Sequence, residues 1–150
     1  MNSRTVTLIL LRIVGAGLLA AMAAIHLYLW ADGYRSVPTI GLLFMLNGIG
    51  GGILTLAVLA APKRFLAIVA SLSSLFTLGT LGALILSLTV GLFGFLESMA
   101  APLATTTLIV ESLGVVVLAG LAVYAFMLSK SGGAAGAPQG RDQRVGHAAG

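Results

Sequence analysis

The sequence predicts an all-α fold, a four-helix transmembrane bundle in up-down topology with both termini cytoplasmic. Three observations carry this reading. The first is composition: 59% of residues are hydrophobic and 8% charged, where a soluble domain carries roughly 25% charged residues, and mean hydropathy is +1.10. The second is that four apolar runs each reach the ~20 residues a helix needs to cross a hydrocarbon core. The third is the placing of the cations. With four spans, Arg4, Arg12, Lys63, Arg64, Lys130, Arg141 and Arg144 fall on one side and Arg35 alone on the other, the bias expected when the cation-rich side is cytoplasmic.

The spans are expected near residues 8–31, 38–61, 65–88 and 103–128. Their length and the lack of strict polar/apolar alternation favour helices over strands. In the first span, Arg4, the apolar run and "AMA" at Ala21–Ala23 have the outline of a signal peptide. Arg12 interrupts that outline and apolar sequence continues through Trp30, so a retained helix is expected. The turn "DGYRSV" follows, where Asp32 and Arg35 are placed to pair across the surface, a contact worth little. Pro38 suits the first turn of the second span. After "PKR" comes the third span, and apolar sequence then runs on from Phe65 to Leu96, longer than one crossing requires. Gly91 and Gly94 are expected to break the helix and leave "TVGLFGFLES" at the outer interface with its phenylalanines half-buried; the alternative is one long tilted helix. Residues 129–150, rich in Gly, Ala, Pro and Gln, lack the apolar area to offset chain entropy and are expected to form a disordered cytoplasmic tail. His147 lies in it and is not expected to be a ligand.

Helices in lipid associate through close backbone approach at small residues rather than by expelling water. Gly48 and Gly52 stand at the GxxxG spacing and are expected to pack helices together, within one chain or between copies. Ala67, Ala70, Ser71 and Ser74 form a small-residue face on span three, and Gly15, Leu19, Ala23 and His26 a stripe on span one.

Polar groups inside the membrane are costly unless paired, which makes each a candidate site. At 1.5 Å of rise per residue, His26 lies roughly 9 Å below the outer boundary, and Asn47 and Glu111 roughly 12 Å below it. Three helices therefore place their strongly polar groups in one layer, with small neighbours (Ala23, Gly51, Thr107 and Gly114) beside them. His26, Asn47 and Glu111 are the candidate ligand- or proton-binding residues, with Glu97 above them near the surface. The same groups could equally lock helix register. Tyr28, Trp30, Asp32 and Tyr34 are expected at the rim, where aromatics also serve as an interfacial belt.

Several chemistries are excluded or disfavoured. With no cysteine, disulfide, zinc–thiolate and iron–sulfur chemistry is out. One intramembrane histidine does not make a bis-histidine haem site. His26, Glu97 and Glu111 would supply three zinc ligands only if the third connection folded inward, so no metal site is expected. No P-loop, HExxH or G-x-S-x-G stands in a suitable context. The net charge of +4 is spread over scattered cations rather than a basic stripe, so nucleic acid is not an expected partner. No cofactor is implied; the expected partners are membrane lipid and either further copies of the chain or a larger membrane complex.

The segments "HLYLW", "GYRSVPTIG", "LFMLN", "GLFGFLES" and "VES", spread over residues 8 to 128, resemble uncharacterised small four-span integral membrane proteins of GC-rich bacteria. That group has no assigned activity, so the resemblance implies a bacterial inner-membrane location and transfers no catalytic role. "LLRIVGAGLL" at the start of span one is similar to the DoxX-like four-helix membrane proteins, which would imply association with quinone or redox systems. The function expected is therefore a non-enzymatic accessory or small-ligand-binding subunit. A small proton- or cation-coupled transporter using Glu111 and a quinone-linked redox partner are the alternatives.

Overall fold

The computed structural model describes residues 2–134. It holds four helices, α1 (Ser3–Asp32), α2 (Ile40–Ala60), α3 (Lys63–Thr89) and α4 (Ala104–Ala134), each long and apolar enough to cross a membrane. Among the described residues there is no β-strand, only an isolated bridge between Leu92 and Phe95.

The helix ends follow from local chemistry rather than from hydropathy. Asn2 caps α1, its side chain accepting from the Arg4 N–H at 3.3 Å, which satisfies one of the free amides of a first turn and carries the helix back beyond the expected Leu8. At the far end Gly33 N–H donates to the Leu29 carbonyl. A short 3₁₀ turn over Tyr34–Ser36 leads towards α2. Pro38 is not inside α2: Thr39 has φ 64°, outside the right-handed helical region, so the helix begins at Ile40. After Thr89 the chain turns at Gly91 (φ 88°), Phe93 (φ 51°) and Gly94 (φ 79°). Left-handed backbone is accessible to glycine without a Cβ penalty, and these turns rule out the single long helix. Phe95 is half-buried, whereas Phe93 stands exposed. Helix α4 runs past the expected end at Leu128 to Ala134, taking in Ser129 and Lys130. The remainder of the expected tail, residues 135–150 with His147, lies outside the described residues.

Helix α1 packs against both α2 and α4, and α4 against α3, whereas α2 and α3 touch each other little. One end of the bundle is filled by a core that includes Leu8, Leu19, Val58, Leu66, Leu118 and Leu121. The stripe expected on α1 is buried throughout, from Gly15 to His26. On α3, Ala70 is buried and the Ser74 hydroxyl donates to the Val115 carbonyl of α4 at 3.1 Å, while Ser71 faces outward. Within the chain the two glycines of the pair differ. A Cβ on Gly48 would lie 2.4 Å from Leu27 Cγ and 3.3 Å from the Ala23 carbonyl oxygen, so α2 approaches α1 there as only glycine permits. Gly51 meets Ala23 and Met22 on the same face, but nothing lies within 4 Å of a Cβ on Gly52. The packing pair is Gly48 and Gly51, one helical turn apart.

Arg12, counted above as a topology cation, has a structural role. Its Nε–H donates to the Val58 carbonyl at 2.6 Å and its second guanidinium nitrogen to the Ala61 carbonyl. The last carbonyls of a helix have no intrahelical partner, and a fork of fixed donors suits two of them at once. Arg12 of α1 therefore caps the C-terminus of α2.

A candidate ligand cleft between α2 and α3

Where α2 and α3 diverge, they leave a cavity of about 420 Å³, within the size range of small-molecule sites. Leu43 and Leu46 of α2 and Leu75 and Gly79 of α3 line it and are also exposed on the outer surface of the bundle, so it opens sideways between these helices. Its back wall is built by His26 and Leu29 of α1 and by Ala104 and Thr107 of α4. Small residues Gly79, Ala83 and Ser87, one turn apart on α3, face this space. Here small side chains leave room instead of drawing two helices together.

The connection between α3 and α4 closes the end of the cavity. Glu97 N–H donates to the Ser87 carbonyl at 2.9 Å, and Leu92 and Phe95 pair through their backbones at 2.8 and 2.9 Å. The Glu97 carboxylate accepts from the Tyr34 hydroxyl at 2.5 Å and from the Ser98 N–H at 2.9 Å. Partial burial and the adjoining Glu97 carboxylate push the Tyr34 phenol well above its ordinary value, so it stays a donor. Tyr34 stacks on Phe44 with ring centroids 4.5 Å apart and meets Phe95 edge-on at 5.9 Å. These contacts clip the α1–α2 and α3–α4 connections together over the cavity.

Deeper in, His26 and Glu111 meet, with Nε2 3.7 Å from Oε1. That is beyond hydrogen-bond distance. His26 Nδ1–H donates to the Met22 carbonyl at 2.9 Å, since a carbonyl only accepts. Nε2 is the nitrogen turned to Glu111, and the imidazole lies 5.0 Å from the Phe44 ring. Glu111 is 0% exposed and neither carboxyl oxygen has a hydrogen-bond partner. The neighbouring Thr80 hydroxyl donates to the Thr77 carbonyl at 2.8 Å instead. Asn47 is 8% exposed, lines the cavity, and has an unpartnered Oδ1.

The structure thus brings His26 and Glu111 into contact, sets Asn47 on the same cavity as His26, and puts Glu97 at the end closed by the α3–α4 connection, bonded to Tyr34. Glu111 lies behind His26 and is not part of the cavity wall. Of the four rim residues only Tyr34 lines the cavity. Tyr28 and Asp32 are exposed and Trp30 is half-buried, as residues of an interfacial belt would be. Asp32 and Arg35 form no ion pair; among the described residues, His26 and Glu111 make the one contact at that distance. No three His, Asp or Glu side chains gather as metal ligands among the described residues, because Glu97 turns to Tyr34 and not to His26. Phe44 and the whole α3 wall were not singled out from sequence. Phe44 sits in an apolar run that gives no hint of its direction, whereas Gly79, Ala83 and Ser87 do carry a signal in their four-residue spacing.

No family model, no curated protein and no solved structure matches this chain.

Proposed function

We propose that this chain is a multi-pass protein of the bacterial inner membrane that binds a small ligand between α2 and α3, as an accessory or ligand-binding subunit and not as an enzyme. The bundle is up-down, with Arg4, Arg12, Lys63, Arg64 and Lys130 towards the cytoplasm and the cavity in the outer leaflet. The observation that carries the reading is the cavity itself: apolar walls, a sideways opening, and two buried polar side chains, His26 and Asn47, at its back. A mostly apolar recess with a few convergent polar groups is the usual form of a ligand site. Native mass spectrometry from mild detergent with analysis of co-purifying lipid tests it. A bound small molecule on the wild type, lost in Gly79→Trp, supports it. Gly79 has open space where a side chain would grow, so tryptophan there fills the cavity. A bare wild-type mass under the gentlest conditions would sink it.

A second reading rests on Glu111. A fully buried carboxyl with both oxygens unpartnered, beside a histidine, is a candidate proton carrier, as ionisable groups inside a membrane are by default. In a proton-coupled carrier, Glu111→Gln abolishes pH-driven flux in liposomes while the protein folds normally. Undiminished flux in that variant ends this reading.

A further inference from the structure

The cavity specifies the chemistry of its occupant, and we infer that it takes a neutral, hydroxyl-bearing amphiphile from the lipid phase, hydrocarbon chain between α2 and α3 and hydroxyl against the amide oxygen of Asn47. This rests on the ligand-binding reading above. The opening lies between two helices that would both face hydrocarbon, flanked by Leu43, Leu46 and Leu75. A ligand dissolved in the bilayer reaches it without crossing water, and an alkyl chain matches the walls.

The head group follows from three observations. His26 gives its Nδ1–H to the Met22 carbonyl at 2.9 Å and turns Nε2 to Glu111 Oε1 at 3.7 Å, so both ring nitrogens already have a neighbour. Asn47 has no hydrogen-bond partner for Oδ1, although it is more than nine-tenths buried on the cavity wall. Oδ1 is an acceptor and a hydroxyl has one proton to donate, so the hydroxyl of the occupant donates to Asn47 Oδ1. Burying such groups without partners costs more than a made hydrogen bond returns, which gives the occupant its purchase at this point. Charged heads do not fit. No Lys or Arg lines the cavity to meet an anion. For a cation, Glu97 is already engaged by Tyr34 and the Ser98 amide, and Glu111 lies behind His26 and off the wall.

The full chain in nanodiscs, labelled with a photoreactive diazirine analogue of hexadecan-1-ol, tests this. Saturable labelling on α2 and α3 is expected, with loss of that labelling in Gly79→Trp. Unlabelled hexadecan-1-ol should compete, while ionised hexadecanoate and hexadecylamine compete about tenfold less well, the discrimination one hydrogen bond to a buried partner supplies. Asn47→Leu should lose about the same tenfold for the alcohol. Equal competition by the carboxylate or the amine, or an unchanged alcohol affinity in Asn47→Leu, overturns the head-group inference. It leaves the cleft reading standing provided that Gly79→Trp still abolishes labelling. Labelling that does not saturate, or that persists in Gly79→Trp, overturns the cleft itself. The competition series uses the wild type alone, so it decides the head group even if Asn47→Leu does not fold.

Discussion

Replacing Glu111 by methionine should make the protein more stable, and the reason lies in what surrounds that carboxyl. Glu111 is completely buried, neither oxygen is hydrogen-bonded, and its nearest charged or chargeable neighbour, His26, stands 3.7 Å away with its Nδ1–H already given to Met22. A buried polar group left without a partner costs about 1–3 kcal/mol, and replacing buried ionisable groups by apolar ones of similar volume is often stabilising. Methionine keeps the volume and adapts to an irregular space. The expected gain is about 1–3 kcal/mol, which for a chain of this size raises Tm by roughly 2–4 °C per kcal/mol. Thermal unfolding in mild detergent, followed through the single tryptophan, Trp30, measures it. A double-mutant cycle with His26→Leu should give a coupling of about 0.5 kcal/mol, the low end for residues in contact, because the pair is not hydrogen-bonded. A clear loss of stability in Glu111→Met, or a coupling of several kcal/mol, would refute this reasoning and make the pair a lock between α1 and α4.

Other outcomes follow from the same geometry. Arg12→Ala strips two bonds from the last carbonyls of α2 and should cost about 1.5–3 kcal/mol, with Arg12→Lys recovering only part because one ammonium does not fork; chemical denaturation in detergent reads both. Gly48→Ala forces Leu27 aside and should cost about 1–3 kcal/mol, whereas Gly52→Ala, with open space around it, should be neutral or stabilise by about 0.5–1 kcal/mol; equal effects in a thermal-shift comparison would contradict the packing face. Tyr34 should be the latest tyrosine to ionise. Its phenol is raised above the ordinary 10.0, so the unfolded chain releases this proton first, and the contribution to stability is full below pH 10 and lost as pH climbs beyond it. Ultraviolet titration checks this: Tyr34→Phe should delete the last component, and an unchanged curve would refute the Tyr34–Glu97 clip.

The helices were legible because lipid makes a simple demand: about 20 apolar residues per crossing, which the four runs supply. The meeting of His26 with Glu111 was legible for a related reason, since a rigid rise of 1.5 Å per residue converts position into depth. What failed was phase around the helix axis. Gly48 and Gly52 satisfy a spacing rule that says nothing about which face meets a neighbour, and within the chain it is Gly51 that joins Gly48 against α1. Tyr28 and Tyr34 are the same residue type on either side of one turn, and only the 3₁₀ geometry of residues 34–36 turns the second inward. The positive φ at Thr39, Phe93 and Leu103 had no signal at all, because none of the three is glycine or asparagine. The cavity was invisible for a subtler reason. Small residues on α3 carry the same pattern whether they admit another helix or leave a space, and that choice is made by how α1 and α4 hold α2 and α3 apart.

The measurement that bears most directly on the central claim is what fills that space in a bilayer. Methyl-labelled, otherwise deuterated protein in nanodiscs allows nuclear Overhauser contacts to be read at Ala83 and Leu84 on the cavity wall. Contacts with hydrocarbon-chain protons, beyond those at the outward-facing Leu56 and Leu59 and lost in Gly79→Trp, are the result expected of a cleft that takes its ligand from the membrane. Contacts with water at the same methyls would contradict it, and would mark the cavity as an aqueous pathway leading towards His26 and Glu111.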